Sequence, residues 1–303
     1  MPSPVSTLLT TRRQWLAAAA LMPLVARAQD KPFSPRMGQG GKDVIWVPTP
    51  DAMVDRMLVL AGVGPQDFLM DLGAGDGKIV IAAARAGTPA LGIEYNPEMV
   101  AFARQRAQAA GVAERARFEQ ADIFEYDFTR ATVITLYLLP RLNLRLRPRL
   151  LALKPGTRIV SHSFDMDDWK PDESTHAGGA TAFLWLVPAN AGGDWTLRFP
   201  LASGEARALM KIEQRFQRIS GVASFRDFSA SLRQPLLAGE QVRFALTDAL
   251  GELRQFEGRI HGNEMTGTVT QGNQRVPFSA VREGEVPPIG PVREIERPKQ
   301  VYK

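Results

Sequence analysis

The chain has 303 residues, a formal net charge of +5, 45% hydrophobic residues and no cysteine. The length fits about two domains, and the apolar share supports a sizeable core and argues against disorder. The missing cysteine excludes disulfides, thiolate metal sites, iron–sulfur clusters and a thiol nucleophile; with only His162, His176 and His261 as histidines, a structural zinc site is not expected.

The first segment reads as an export signal. Arg12-Arg13 precedes an apolar run from Leu16 to Val25, and Ala26-Arg27-Ala28 puts small residues at the cleavage positions. This is the three-part layout of a secretory signal, and the paired arginines point to the twin-arginine route. Residues 1–28 are therefore read as a twin-arginine signal peptide cleaved after Ala28, with the export machinery as a partner and a periplasmic product. The run is shorter than the ~20 residues that cross a bilayer, and no membrane span is expected in the mature chain. Arg12, Arg13 and Arg27 leave with the signal and no acidic residue does. What remains is close to neutral, so the basic balance gives no argument for nucleic acid.

Residues 29–42, rich in Gly, Pro and charge, read as a linker. Over 43–188 helical and strand patterns alternate, as in a parallel α/β sheet. Thr49-Pro50-Asp51 predicts a helix start with Thr49 as N-cap and Pro50 in the first helical position; the helix carries Met53, Met57 and Leu60 and stops at Gly62. Strands are predicted over Phe68 to Leu72, at Leu91-Gly92-Ile93 ending on Glu94, and around Phe118, with Asp122 at its end. Further strands are predicted from Val133 to Leu139 and at Arg158 to Ser161, with Phe183 to Leu186 at the sheet edge. Asn96-Pro97-Glu98 caps a helix running to Gly111.

Over 189–284 the pattern becomes short strands with period-two alternation. Val242, Phe244 and Leu246 share a face, and His261-Gly262-Asn263 breaks two runs as a hairpin does. Seven to eight short strands predict a small barrel or sandwich. Residues 285–303, poor in apolar residues and rich in proline, read as an extended tail.

The chemistry concentrates in Asp71-Leu72-Gly73-Ala74-Gly75-Asp76-Gly77, which leaves a buried strand and enters a helix near Lys78. Glycines there allow a tight turn and close approach of a ligand. Glu94 ends the next strand about 20 residues on, where an acidic group accepts the hydroxyls of a ribose. Asp122 ends the third strand, so the three loops meet at the carboxyl edge where open α/β folds bind ligands. A dinucleotide fingerprint needs glycine where this chain has Lys78.

These residues resemble motif I and the following motifs of the class I S-adenosylmethionine-dependent methyltransferases. Val47-Pro48-Thr49-Pro50, the D-L-G-A-G-D-G turn, Gly92-Ile93-Glu94, Ala121-Asp122-Ile123, Leu136 to Pro140 and Val160 to Phe164 occur in family order. Within the class the chain is most similar to the group containing the lysine methyltransferases of the mitochondrial ATP synthase c-subunit. The resemblance implies an α/β fold with a Rossmann-like sheet, followed here by the small all-β domain. It implies S-adenosyl-L-methionine as cofactor. Gly73, Gly75 and Gly77 would flank its amino-acid part beside Asp71, Glu94 would hold the ribose, Asp122 the adenine amino group, and Thr49 would lie over it. The implied activity is methyl transfer to a protein or small-molecule acceptor, a protein lysine amine by resemblance only.

Tyr137 and Pro140 lie where the substrate side is usually built in this class. Tyr137 also reads as a core residue, His162 as a base or a structural histidine, and Arg141, Arg145 and Arg149 as a solvated face or a site for an acidic partner. Trp185 and Trp195 are expected to pack the seam between the halves. Two other readings of the whole are an exported protein that binds the cofactor without turnover, and an interaction or scaffold protein built on the β domain.

Overall fold

The computed structural model describes residues 33–201, 204–249 and 251–289. The signal segment 1–28 and the tail from 290 onward lie outside the described residues.

The first helix is α1 (Asp51–Leu60), with Met53, Val54 and Met57 buried. Pro50, not Thr49, is its N-cap, and no side chain caps it. The Pro50 backbone is extended, at φ −60° and ψ 144°. Next come β1 (Leu69–Leu72), α2 (Lys78–Arg85), β2 (Ala90–Glu94), α3 (Pro97–Ala109), β3 (Ala116–Gln120), β4 (Val133–Leu136), α4 (Pro140–Leu151) and β5 (Arg158–His162). The α3 start follows the sequence reading: Asn96 Oδ1 accepts from the backbone N–H of Glu98 at 2.8 Å and Pro97 follows the cap. In α4, Leu142, Leu146 and Leu150 repeat at four-residue spacing and are buried together as one apolar stripe.

Strands β6 (Glu173–Ala177) and β7 (Ala180–Leu186) complete a seven-stranded sheet in the order β3-β2-β1-β4-β5-β7-β6. Strands β1 to β5 run parallel, while β7 is antiparallel to β5. The order reverses at β1, the switch point at which such sheets bind ligands. Two expectations change here. The fourth strand ends at Leu136, because Pro140 opens a helix at once. Residues 183–186 are not at the edge, because polar β6 pairs outside them.

The second half is one nine-stranded antiparallel sheet, β8 (Gly193–Leu201), β9 (Gly204–Arg215), β10 (Arg218–Ser224), β11 (Ser229–Ser231), β12 (Arg233–Ala238), β13 (Gln241–Thr247), β14 (Leu253–His261), β15 (Glu264–Gln271) and β16 (Gln274–Glu283). It coils until its ends approach: the N–H of Leu232, just before β12, donates to Gly221 O on β10 at 2.9 Å. The all-β expectation holds as a nearly closed barrel, with nine strands rather than seven or eight. Phe244 and Phe256 stack at 4.8 Å in its core, with Phe278 edge-on to Phe256 at 5.3 Å.

The halves meet at the β9–β10 turn. Phe216 stacks on Trp169 at 5.9 Å, Asp168 bridges Arg147 and Arg215, and Gln217 donates to Lys170 O. Trp185 belongs to this region, donating its indole N–H to Trp169 O at 2.8 Å. Trp195 does not: it lies in the β core, under the Arg282 guanidinium at 4.5 Å.

Candidate active site

A cavity opens at the carboxyl edge of β1, β2, β3 and β4, lined by Thr49, Asp71, Gly73, Ala74, Gly75, Glu94, Asp122 and Tyr137. It spans about 1010 Å³ counting its open mouth. The turn after β1 is tight because its glycines have positive φ. Gly75 has φ +53°, and an added Cβ would lie 2.6 Å from Trp46 Nε1. Gly77 has φ +77° and is the N-cap of α2. Its hydrogens face Phe118 and Ala103, and a Cβ there would lie 2.6 Å from Phe118 Cζ. Gly77 therefore lies outside the cavity wall, and its glycine serves helix packing rather than contact with a cofactor.

Glu94 accepts from the backbone N–H of Gly75 and of Asn96, each at 2.9 Å and each on a different carboxylate oxygen. Every carboxylate oxygen has a second lone pair, so the fixed carboxylate still presents acceptors to the cavity. Asp122 lies two residues beyond β3. It accepts from the Phe124 N–H at 2.9 Å and pairs with Lys42. Burial works to raise the Asp122 carboxyl, but the Lys42 and Phe124 hydrogen bonds and the lysine charge hold it below the usual carboxylate value. Asp71 is fully enclosed and accepts from the Thr135 hydroxyl at 2.7 Å. Burial, with Asp76 and Glu94 adding repulsion against the Thr135 hydrogen bond, pushes its carboxyl up to about 7.

At the β4 side, Thr49 Oγ1 lies 3.5 Å from His162 Nδ1, and the Tyr137 ring lies 3.9 Å from the His162 ring. Tyr137 is half-buried and faces the cavity. His162 is buried behind it, and burial lowers its basicity, which favours the neutral imidazole near pH 7. Pro140 is exposed at the first position of α4 and does not line the cavity. Its ring suits a helix start, where the missing N–H is not needed.

Sequence reasoning missed one wall. The stretch read as a linker folds back as a hairpin, with the Gly38 N–H donating to Trp46 O and the Trp46 N–H to Gln39 O. Gln39 through Trp46 line the cavity, held by Lys42 on Asp122, by Gln39 on Met99 Sδ at 3.2 Å and by Arg141 on Asp43 O. The indole of Trp46 was the one available signal. Lys78 was missed as well, since a lysine after a glycine turn has no fixed meaning. The arginine row is also reassigned: Arg145 lies 3.6 Å over Phe124, and Arg149 donates to Phe124 O at 2.7 Å. With Arg141 on Asp43 O, the row pins the cavity's own loops instead of offering a free face.

Comparisons with known proteins bear on the family of this chain. The family described as the ANTKMT methyltransferase domain matches residues 71–173. A protein-lysine N-methyltransferase of Saccharolobus islandicus is 44% identical over 133 residues, covering 43% of this chain and 83% of that protein. The mouse lysine N-methyltransferase of the ATP synthase c-subunit is 37% identical over 125 residues, covering 41% of this chain. The chain spans only about half, 51%, of that mouse protein. Among solved structures, an RNA methyltransferase from Salinibacter ruber in complex with S-adenosyl-L-homocysteine is 52% identical, covers 46% of this chain and 94% of its own, and has a TM-score of 0.46. The chain belongs to the class I S-adenosylmethionine-dependent methyltransferases. The site fits that cofactor: a glycine turn that a Cβ would fill, a fixed carboxylate for the ribose, and a cavity reaching from Asp122 to Tyr137.

Proposed function

We propose that the chain transfers a methyl group to a lysine amine of a protein. The observation that carries this reading is the 44% identity to the Saccharolobus islandicus protein-lysine N-methyltransferase over 83% of its length. S-adenosylmethionine, when bound, supplies a methyl carbon on a positively charged sulfur, an electrophile that needs no protein nucleophile. The chain's part is position. Glu94, its carboxylate already fixed by two backbone N–H groups, would accept from the ribose hydroxyls, and the turn at Gly73 and Gly75 would let the tail lie against the backbone. Thr49 and Tyr137 wall the β4 side, where an incoming amine aligns for in-line displacement. The amine has to arrive uncharged, and an apolar wall that excludes water favours its neutral form. His162 stands behind both residues and keeps their hydroxyl and ring in place.

We also propose that residues 1–28 direct the folded chain through the twin-arginine route and that the periplasmic product starts at Gln29. This rests on the sequence pattern at Arg12, Arg13 and Ala26 to Ala28. That route exports folded proteins, so a cofactor made in the cytoplasm can leave already bound.

Methyl-labelled cofactor, purified protein and a cell extract containing protein and RNA test the acceptor. Label on lysine Nζ of a protein, read by mass spectrometry and lost in Glu94→Ala, is the expected result. Label in RNA, or in no macromolecule, sinks the lysine reading. N-terminal sequencing of the periplasmic fraction tests export: a chain kept in the cytoplasm with Met1 intact overturns it.

A further inference from the structure

Two lysines line the cavity, and they have different commitments. Lys42 is paired with Asp122 at the β3 side. Lys78, the first residue of α2, stands beside the glycine turn of β1. Its ammonium donates to Thr49 O at 2.9 Å and to Asp51 Oδ1 at 2.9 Å. An ammonium has three donors, and among the described residues these are its only two partners. Asp51 is a weak anchor, since its side chain is 85% exposed. The Lys78 side chain is only 25% exposed. Thr49, whose carbonyl holds the amine, itself lines the cavity.

The direction of the cofactor follows from the strand order. The acid ending β2 takes the ribose, and Asp122 lies one strand further out, beyond β3. The base therefore lies on the β3 side, and the tail runs back over the β1 turn toward β4, past Lys78. That tail ends in an ammonium and a carboxylate. Asp71, Asp76 and Glu94 crowd this region with acids. Arg106, another cation nearby, is paired with Asp76 and does not line the cavity. A carboxylate placed here needs a cation with a free donor, and Lys78 supplies one. We infer that Lys78 receives the α-carboxylate of the cofactor. This rests on the cofactor assignment above and adds the residue that tells an amino-acid tail from a tail without a carboxylate.

Equilibrium titration with two ligands tests it: S-adenosylhomocysteine, and its decarboxylated analogue S-adenosyl-3-thiopropylamine, which keeps the amine and lacks the carboxylate. Wild type is expected to favour the first. Lys78→Met is expected to weaken S-adenosylhomocysteine about 10- to 100-fold, the scale of one charge-assisted hydrogen bond, and to leave the analogue within about twofold. Lys78→Arg is expected to restore most of the difference. Equal loss on both ligands, even with an unchanged melting temperature, or loss on neither, overturns the inference. If wild type binds neither ligand, the cofactor assignment itself falls, and the titrations tell the two failures apart.

Discussion

The two halves bury polar groups very differently. In the α/β half Thr49, Asp71, Thr135, Asn143, Ser161 and His162 are buried near the carboxyl edge of the sheet. In the nine-stranded half only Thr196 and Arg282 are buried polar residues among those described. Among the described residues Arg282 has no carboxylate partner; it donates to Asn190 O and Oδ1, Gly192 O and Gly262 O. Burying polar groups costs stability unless each finds a partner. One half accepts that cost around a cavity, and the other is built almost wholly from packed apolar side chains. The chemistry thus lies in one half, while both halves hold apolar cores of their own.

That division can be broken by experiment. Phe256→Ala removes a ring at the centre of the β core and is expected to cost about 3–5 kcal/mol in denaturant unfolding. S-adenosylhomocysteine affinity should stay within about twofold; a larger change would mean that the β half shapes the cavity. Gly77→Ala should cost about 2–4 kcal/mol from its left-handed backbone and the contact with Phe118, again seen in unfolding, although no cofactor contact is lost. Asp71→Asn should produce an effect on the order of 4 kcal/mol that depends on pH. The Asp71 carboxyl is raised to about 7 in the fold, so its stabilising contribution is complete below the unfolded value near 4 and is lost as pH rises through 7. Wild type should therefore lose stability between about pH 4 and 7 relative to the variant, and parallel curves would reject the assignment. Arg215→Ala at the seam is the smallest: its ion pair is largely exposed, and about 0–0.5 kcal/mol is expected. A second unfolding transition in that variant would show that the halves are less coupled than the Trp169–Phe216 stack implies.

Much of the site was legible because its signals are local. Glycines at Gly73 and Gly75, an acid at Glu94 and another at Asp122 each mark a strand end within a few residues of sequence, and the structure brings all four onto one cavity wall. The cap at Asn96 was legible for the same reason, since Pro97 and Glu98 adjoin it. Thr49 misled because the cap motif is local but the threonine hydroxyl found His162, far along the chain. The wall from Gln39 to Trp46 was illegible because Lys42 and Asp43 look like solvated linker residues until Asp122 and Arg141 are beside them. β6 escaped because Glu173 to Ala177 is polar and exposed, as suits an edge strand. The strand count of the β half was low because very short turns, such as Gly272-Asn273 between β15 and β16, carry little sequence of their own.

The hairpin ending at Trp46 has a bearing on processing. One wall of the cavity precedes the first helix and is fastened by a few side-chain contacts to the loops it covers. Trimming that stops near Ala28 leaves this wall whole, whereas a cut just beyond Trp46 removes it while leaving both sheets intact. Such a product would melt like the parent and yet hold its ligand poorly, so proteolysis at a single short segment would separate folding from binding.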